Sequence, residues 1–170
     1  MPLPQTKIPV TSTKLQRTLV HIREFLQQGK MGFIELGVTE DFLISKLGRP
    51  TSKRRVTRKR QYPVMYLYEP LELVFDDKCV LTNIYVQFEL CEIRKRFSIG
   101  NRGTELKLGG LSRKTSLIEF QSYAEQNGIS LELKPIYEGD IRFHTQSGVI
   151  VVFEEDTKTL HGFFYSASNQ

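Results

Sequence analysis

Leu71-Glu72-Leu73-Val74-Phe75-Asp76-Asp77 and Val149-Ile150-Val151-Val152-Phe153-Glu154-Glu155 are two versions of one phrase, an apolar run closed by a pair of acids. Each reads as a strand entering a hairpin turn, because branched and aromatic side chains fit a pleated surface and carboxylates tolerate turn geometry. Upstream of the first, Gly37-Val38-Thr39-Glu40-Asp41-Phe42 opens a short helix. Thr39 supplies the capping oxygen and Glu40 and Asp41 suit the positive end of the helix dipole; Gly48 ends the helix and Pro50 prevents its continuation. Strands are expected over 51–58, 61–68, 71–76 and 80–89, with Asp76-Asp77-Lys78 as a tight turn. Upstream of the second phrase, Ser116 and Glu119 have the spacing of a capping box, the helix runs to about Gln126, and Asn127-Gly128 closes it. Strands follow over 129–134, 138–144, 148–154 and 160–166.

The order of elements predicts an α+β protein built as an N-terminal helix followed by two tandem helix-plus-four-stranded-antiparallel-meander units. The helix, over 14–28, is read from Leu15, Leu19, Ile22 and Leu26 on one face, with Thr13 as cap and Gly29 past its end. It belongs with a proline-punctuated arm, Pro2, Pro4 and Pro9, in a segment 1–36. The first unit then spans 37–97, a linker marked by Gly100, Gly103, Gly109 and Gly110 spans 98–114, and the second unit spans 115–170.

Alternation sorts the strand faces. Leu71, Leu73 and Phe75, and Ile84, Val86 and Phe88, point to a core, which leaves Glu72, Tyr85 and Gln87 on the opposite face, joined by Arg142, His144 and Phe164 from the second unit. Tyr66 and Tyr68 are assigned to this face as well, although Met65 and Leu67 compete with them for the core. Tyrosine, arginine and phenylalanine among small polar groups suit a protein interface, since they bury large area at low entropic cost. The candidate partner-binding set is therefore Tyr66, Tyr68, Glu72, Tyr85, Arg142, His144 and Phe164. The competing reading is that the helices simply cover this face.

The net charge of +5 is concentrated in one place. Lys53, Arg54, Arg55, Arg58, Lys59 and Arg60 form a basic patch with no intervening acid, and a smaller cluster follows at Arg94, Lys95 and Arg96. Such a patch contacts an acidic protein, binds nucleic acid, or is a solvated hairpin whose charge keeps an edge strand from pairing.

No catalytic signature is visible. His21, His144 and His161 are scattered, the Ser98–Gly103 loop lacks the order of a phosphate-cradling motif, and the acidic pairs sit at turns. No catalytic residue, metal ligand or cofactor is expected, and the chain is read as a non-enzyme. Cys79 and Cys91 have neither metal-site spacing nor disulfide density and are expected as reduced thiols. The first residues lack the basic flank and apolar run of a secretory signal, and no stretch is long enough to span a bilayer, so no membrane partner and a cytoplasmic location are expected.

The Gly37-x-Thr39 to Leu47-Gly48-x-Pro50 stretch, followed by strands ending in Leu71-Glu72-Leu73-Val74-Phe75, resembles the helix-then-meander repeat of beta-lactamase-inhibitor-like proteins and of the small lipoproteins of outer-membrane assembly. The likeness covers about 50 residues of the first unit; the second lacks the Gly-x-Thr and Gly-x-Pro elements and shares only the order of elements. That fold implies a curved sheet that grips another protein. A chain of this size and plan also looks like the immunity proteins that bacteria keep against toxins. The expected function is a non-catalytic, cytoplasmic immunity or inhibitor protein that binds a bacterial toxin effector. The alternative is a nucleic-acid-binding module using the basic 53–60 strand, with nearby tyrosines for base stacking.

Overall fold

A computed structural model describes residues 17–89 and 96–169. The expected proline arm, the Thr13 cap, Leu15, Cys91, Arg94 and Lys95 lie outside the described residues, as does the Arg96 side chain. The elements run β1 Thr18–His21, α1 Ile22–Gln28, α2 Glu40–Leu47, β2 Ser52–Arg55, β3 Val64–Tyr68, β4 Leu71–Phe75, β5 Leu81–Gln87, β6 Arg96–Ile99, β7 Thr104–Lys107, α3 Leu117–Gln126, β8 Leu131–Tyr137, β9 Asp140–Thr145, β10 Ile150–Glu154 and β11 Leu160–Ser166, closed by a short turn of helix at Ala167–Asn169.

Eight strands form one antiparallel sheet in the order β2-β3-β4-β5-β11-β10-β9-β8, and β1, β7 and β6 form a separate three-stranded sheet. The expected plan of an N-terminal helix followed by two tandem helix-plus-meander units is therefore corrected: the protein is mostly β, with one continuous sheet and a second small one. The reason lies in edges. A four-stranded meander ending at β5 would leave a row of unpaired backbone groups, and these are satisfied by β11, with Phe163 opposite Val86 and Tyr165 opposite Ile84. Gly162 permits the approach, since a Cβ there would lie 2.6 Å from the Val86 carbonyl oxygen.

The N-terminal helix is corrected in the same way. Residues 18–21 are not helical but pair in parallel with 104–107, so Val20 is buried while Leu19 turns outward, and helix begins only at Ile22. The segment 98–114 is likewise more than a glycine-rich connector, since it carries the end of β6 and all of β7. Gly100, at φ +66°, joins this sheet to α2: a Cβ would meet the Leu47 carbonyl oxygen at 2.0 Å, and Asn101 donates to that oxygen at 2.9 Å.

Capping residues act where the sequence places them. Thr39 accepts from the Phe42 N–H at 3.3 Å, and Ser116 and Glu119 complete a reciprocal capping box. The buried faces of all three helices join one hydrophobic core with the inward row of the large sheet, including Leu73, Phe75, Ile84, Val86, Val151, Phe153 and Phe163. Phe120 of α3 meets Phe153 at 5.5 Å and Phe163 at 6.0 Å, and Phe25 of α1 meets Tyr165 edge-on at 6.1 Å. Among the described residues, no helix is long and apolar enough to cross a membrane.

Candidate protein interface on the open sheet face

All three helices pack on one side of the eight-stranded sheet, so the other side is left without a covering helix among the described residues. Strand register sets the residues on that open side into rows. One row crosses the whole sheet as Ser52, Leu67, Glu72, Tyr85, Phe164, Ile150, His144 and Glu132. Its centre is the seam between β5 and β11, where Tyr85 and Phe164 stack with centroids 4.7 Å apart and planes at 27°. Met65 and Val152 extend the half-buried apolar area to either side, with Val74 buried on the same side of the sheet, and Arg142 continues it toward β8.

Of the seven candidate interface residues, the structure brings five onto this side of the sheet: Tyr85, Phe164, Arg142 and His144 are half-buried there, and Glu72 is buried. Glu72 lies opposite Tyr85 in register, and burial first, then the Glu72 charge, push the Tyr85 phenol above its ordinary range. Burial and the charge of Lys134 push His144 the other way, below the usual imidazole value, so the ring on this side of the sheet is neutral at neutral pH. Arg142 lies over the Tyr137 ring at 4.7 Å and donates to Asp140 at 3.1 Å, while its buried Nε makes no hydrogen bond.

Tyr66 and Tyr68 are corrected. Both turn to the helix side and are buried, and Met65 and Leu67 take the open face instead. The cause is a set of acceptors distant in sequence. Tyr68 donates to the Gly48 carbonyl at 2.8 Å, and Tyr66 donates to Glu40 of α2, which also accepts from Tyr62 at 3.1 Å. Lys53 completes the group, donating to Tyr66 Oη at 2.7 Å and lying 3.6 Å from the Glu40 carboxylate, and Cys79 Sγ sits 3.3 Å from Tyr62 Oη. Burial and Glu40 raise the Tyr66 phenol strongly; for Tyr62 the largest cause is the hydrogen bond with Cys79.

The basic patch divides accordingly. Lys53 belongs to the Glu40 network, whereas Arg54, Arg55, Arg58, Lys59 and Arg60 are exposed and form no ion pair among the described residues. Between β2 and β3, residues 56–63 form an arm beside the open face. The arm encloses a cleft of about 560 Å³, with Val56, Arg60 and Pro63 on one wall and Met65, Val74 and Tyr85 on the floor.

One grouping escaped the sequence reading. His161 Nδ1 lies 3.6 Å from Glu89 and 3.9 Å from Glu154, and the three ligand atoms fall within 4.8 Å of one another. They are the one such set among the described residues that could hold a metal ion. Glu154 also faces Arg113 at 4.0 Å and accepts from Thr157 at 2.9 Å, which occupies much of its charge and hydrogen-bonding capacity. No local signal could have found this set, because the residues come from three different strand regions. No protein-family model, no curated protein and no solved structure matches this chain.

Proposed function

We propose that this protein is a non-catalytic binding module that docks another protein on the open face of its eight-stranded sheet, in the manner of an inhibitor or immunity protein. The observation that carries this reading is the Tyr85–Phe164 stack at the centre of a sheet face without a covering helix among the described residues, flanked by Met65, Ile150 and Val152. Half-exposed aromatics ringed by apolar and polar neighbours are the usual anchors of protein recognition. The exposed cations of β2 and the arm, which form no ion pair among the described residues, add a preference for an acidic partner surface and speed its encounter. A bacterial toxin effector domain met in the cytoplasm is the partner class we assign.

Size exclusion of the protein with candidate effector domains tests this, with Tyr85→Ser/Phe164→Ser beside the parent. The parent is expected to co-elute with its partner and the double variant to elute alone. A parent that stays apart from every effector, or a variant that binds as well as the parent, overturns the reading.

A second reading, nucleic-acid binding, draws on the same five exposed cations. With Tyr66 and Tyr68 turned inward, such binding would rest on phosphate contacts and weaken steeply with salt. Fluorescence anisotropy with a single-stranded oligonucleotide decides it. Absence of binding at low salt removes this reading, and binding lost in Arg54→Ala/Arg55→Ala/Arg58→Ala/Lys59→Ala supports it.

A further inference from the structure

Among the described residues the eight-stranded sheet has two free edges, and they differ in what they offer a neighbouring strand. β2 is four residues long, fully exposed, and carries Lys53, Arg54 and Arg55 in succession, so a second β2 would meet like charge. β8 is seven residues long and exposes Leu133 (64%), Ile136 (56%) and Tyr137 (55%).

Hydrogen-bond parity shows which backbone groups of β8 are free. The Thr145 N–H donates to Val149 of the β9–β10 hairpin at 2.9 Å, so Thr145 and Phe143 direct their backbone groups toward β10. His144 and Arg142 therefore direct theirs toward β8, where they pair with Glu132 and Lys134. The alternate residues Leu131 and Leu133 turn outward, and the register shift between Lys134 and Tyr137 ends that parity before Pro135. The exposed edge thus presents the N–H and C=O of Leu131 and Leu133.

We propose that β8 pairs antiparallel with β8 of a second copy of this chain, about a two-fold axis at Leu133. In that register the two Leu133 residues exchange both backbone hydrogen bonds. Glu132 then lies opposite Lys134 of the second copy, twice over. Charge selects this register. Centring the pair on Glu132 or on Lys134 sets that residue against itself, and centring it on Leu131 or Pro135 leaves neither charge opposite its complement. Within one chain Lys134 Nζ already meets Glu132 Oε1 at 2.6 Å, so the two side chains share a face and need only exchange partners. The two exposed Leu133 side chains meet on the other face and cover each other. The surface is separate from the seam and the arm, so variants there leave this equilibrium unchanged.

Sedimentation velocity of the full chain over a concentration series tests the proposal. The parent is expected to pass from the 19.7 kDa monomer to a species of twice that mass. Glu132→Lys and Lys134→Glu, each checked for fold by circular dichroism, are each expected to weaken the dimer about tenfold, since both turn two attractive cross-strand pairs repulsive. Mixing the two variants in equal amounts is expected to restore the dimer, because an all-cationic edge then faces an all-anionic one. A parent that stays monomeric at every concentration, a dimer indifferent to either variant, or a mixture that stays monomeric overturns the proposal.

Discussion

The strands β2–β5 and the strands β8–β11 are each preceded in the chain by one helix, yet the two quartets are tied to the helical side by different chemistry. The first uses a polar network: Glu40 at the start of α2 receives Tyr62, Tyr66 and Lys53, and Tyr68 caps the carbonyl of Gly48. The second uses aromatic packing: Phe120 of α3 lies against Phe153 and Phe163, with Phe143 edge-on to Phe153 at 6.2 Å. The difference has a consequence for the open face. Where hydroxyls can be satisfied on the inner side, tyrosines go inward and Met65 and Leu67 come outward, which makes the open face of the first quartet more apolar than strand alternation alone would place it.

The comparison breaks first at the aromatic side. Phe120→Ala is expected to cost about 3–5 kcal/mol, because a buried ring contacting two others leaves a cavity that its neighbours fill only partly. Chemical denaturation measures it. A cost below that of the Glu40 change described next would mean that the second quartet does not depend on α3 in this way.

Glu40→Ala is expected to cost about 1–3 kcal/mol, since the buried Tyr66 hydroxyl then lacks its acceptor. In a double-mutant cycle with Tyr66→Phe the two losses should be less than additive. The network also carries a pH signature. The Tyr66 and Tyr68 phenols are raised above 10.0, so the folded chain keeps protons that the unfolded chain releases, and stability falls as pH rises past that value. Tyr68→Phe should flatten the fall.

Local elements were legible in the sequence but the architecture that joins them was not, and the departures share one cause. The caps at Thr39 and Ser116, the Asp76-Asp77-Lys78 turn and the inward rows of β4 and β5 are written in residues close to one another, and reading them locally sufficed. Tyr66 and Tyr68 were placed on the wrong face because their acceptors stand 26 and 20 residues away, invisible to alternation. The strand at 18–21 reads locally as helix, because Leu19 and Ile22 fit a helical stripe; its pairing with 104–107 is a long-range choice. The same holds for His161, whose carboxylate neighbours become visible only once β5, β10 and β11 lie side by side.

The seam, which belongs to both quartets, should show a smaller effect. A double-mutant cycle on Tyr85→Ala and Phe164→Ala is expected to give a coupling of about 0.5–1.5 kcal/mol from the stacked pair. Zero coupling would mean that the stack adds nothing to the core packing and backbone pairing that join the quartets.

The smallest effect expected is at His144 in the second quartet. Its imidazole is lowered below 6.5 in the folded chain, so as pH falls the unfolded chain takes up the proton first and stability declines through 6.5, levelling off below the folded value. His144→Gln should remove that decline in a pH series of denaturation curves, and an unchanged slope would assign it elsewhere.

β11 is the last of the described strands and yet occupies the interior of the sheet, between β5 and β10. As the polypeptide leaves the ribosome, β2 to β5 can assemble early, but the flank of β5 waits bare until residues 160–166 arrive. A nascent chain halted before that point would hold two half-sheets with nothing to weld them, and it would present to chaperones the backbone row that the finished protein conceals.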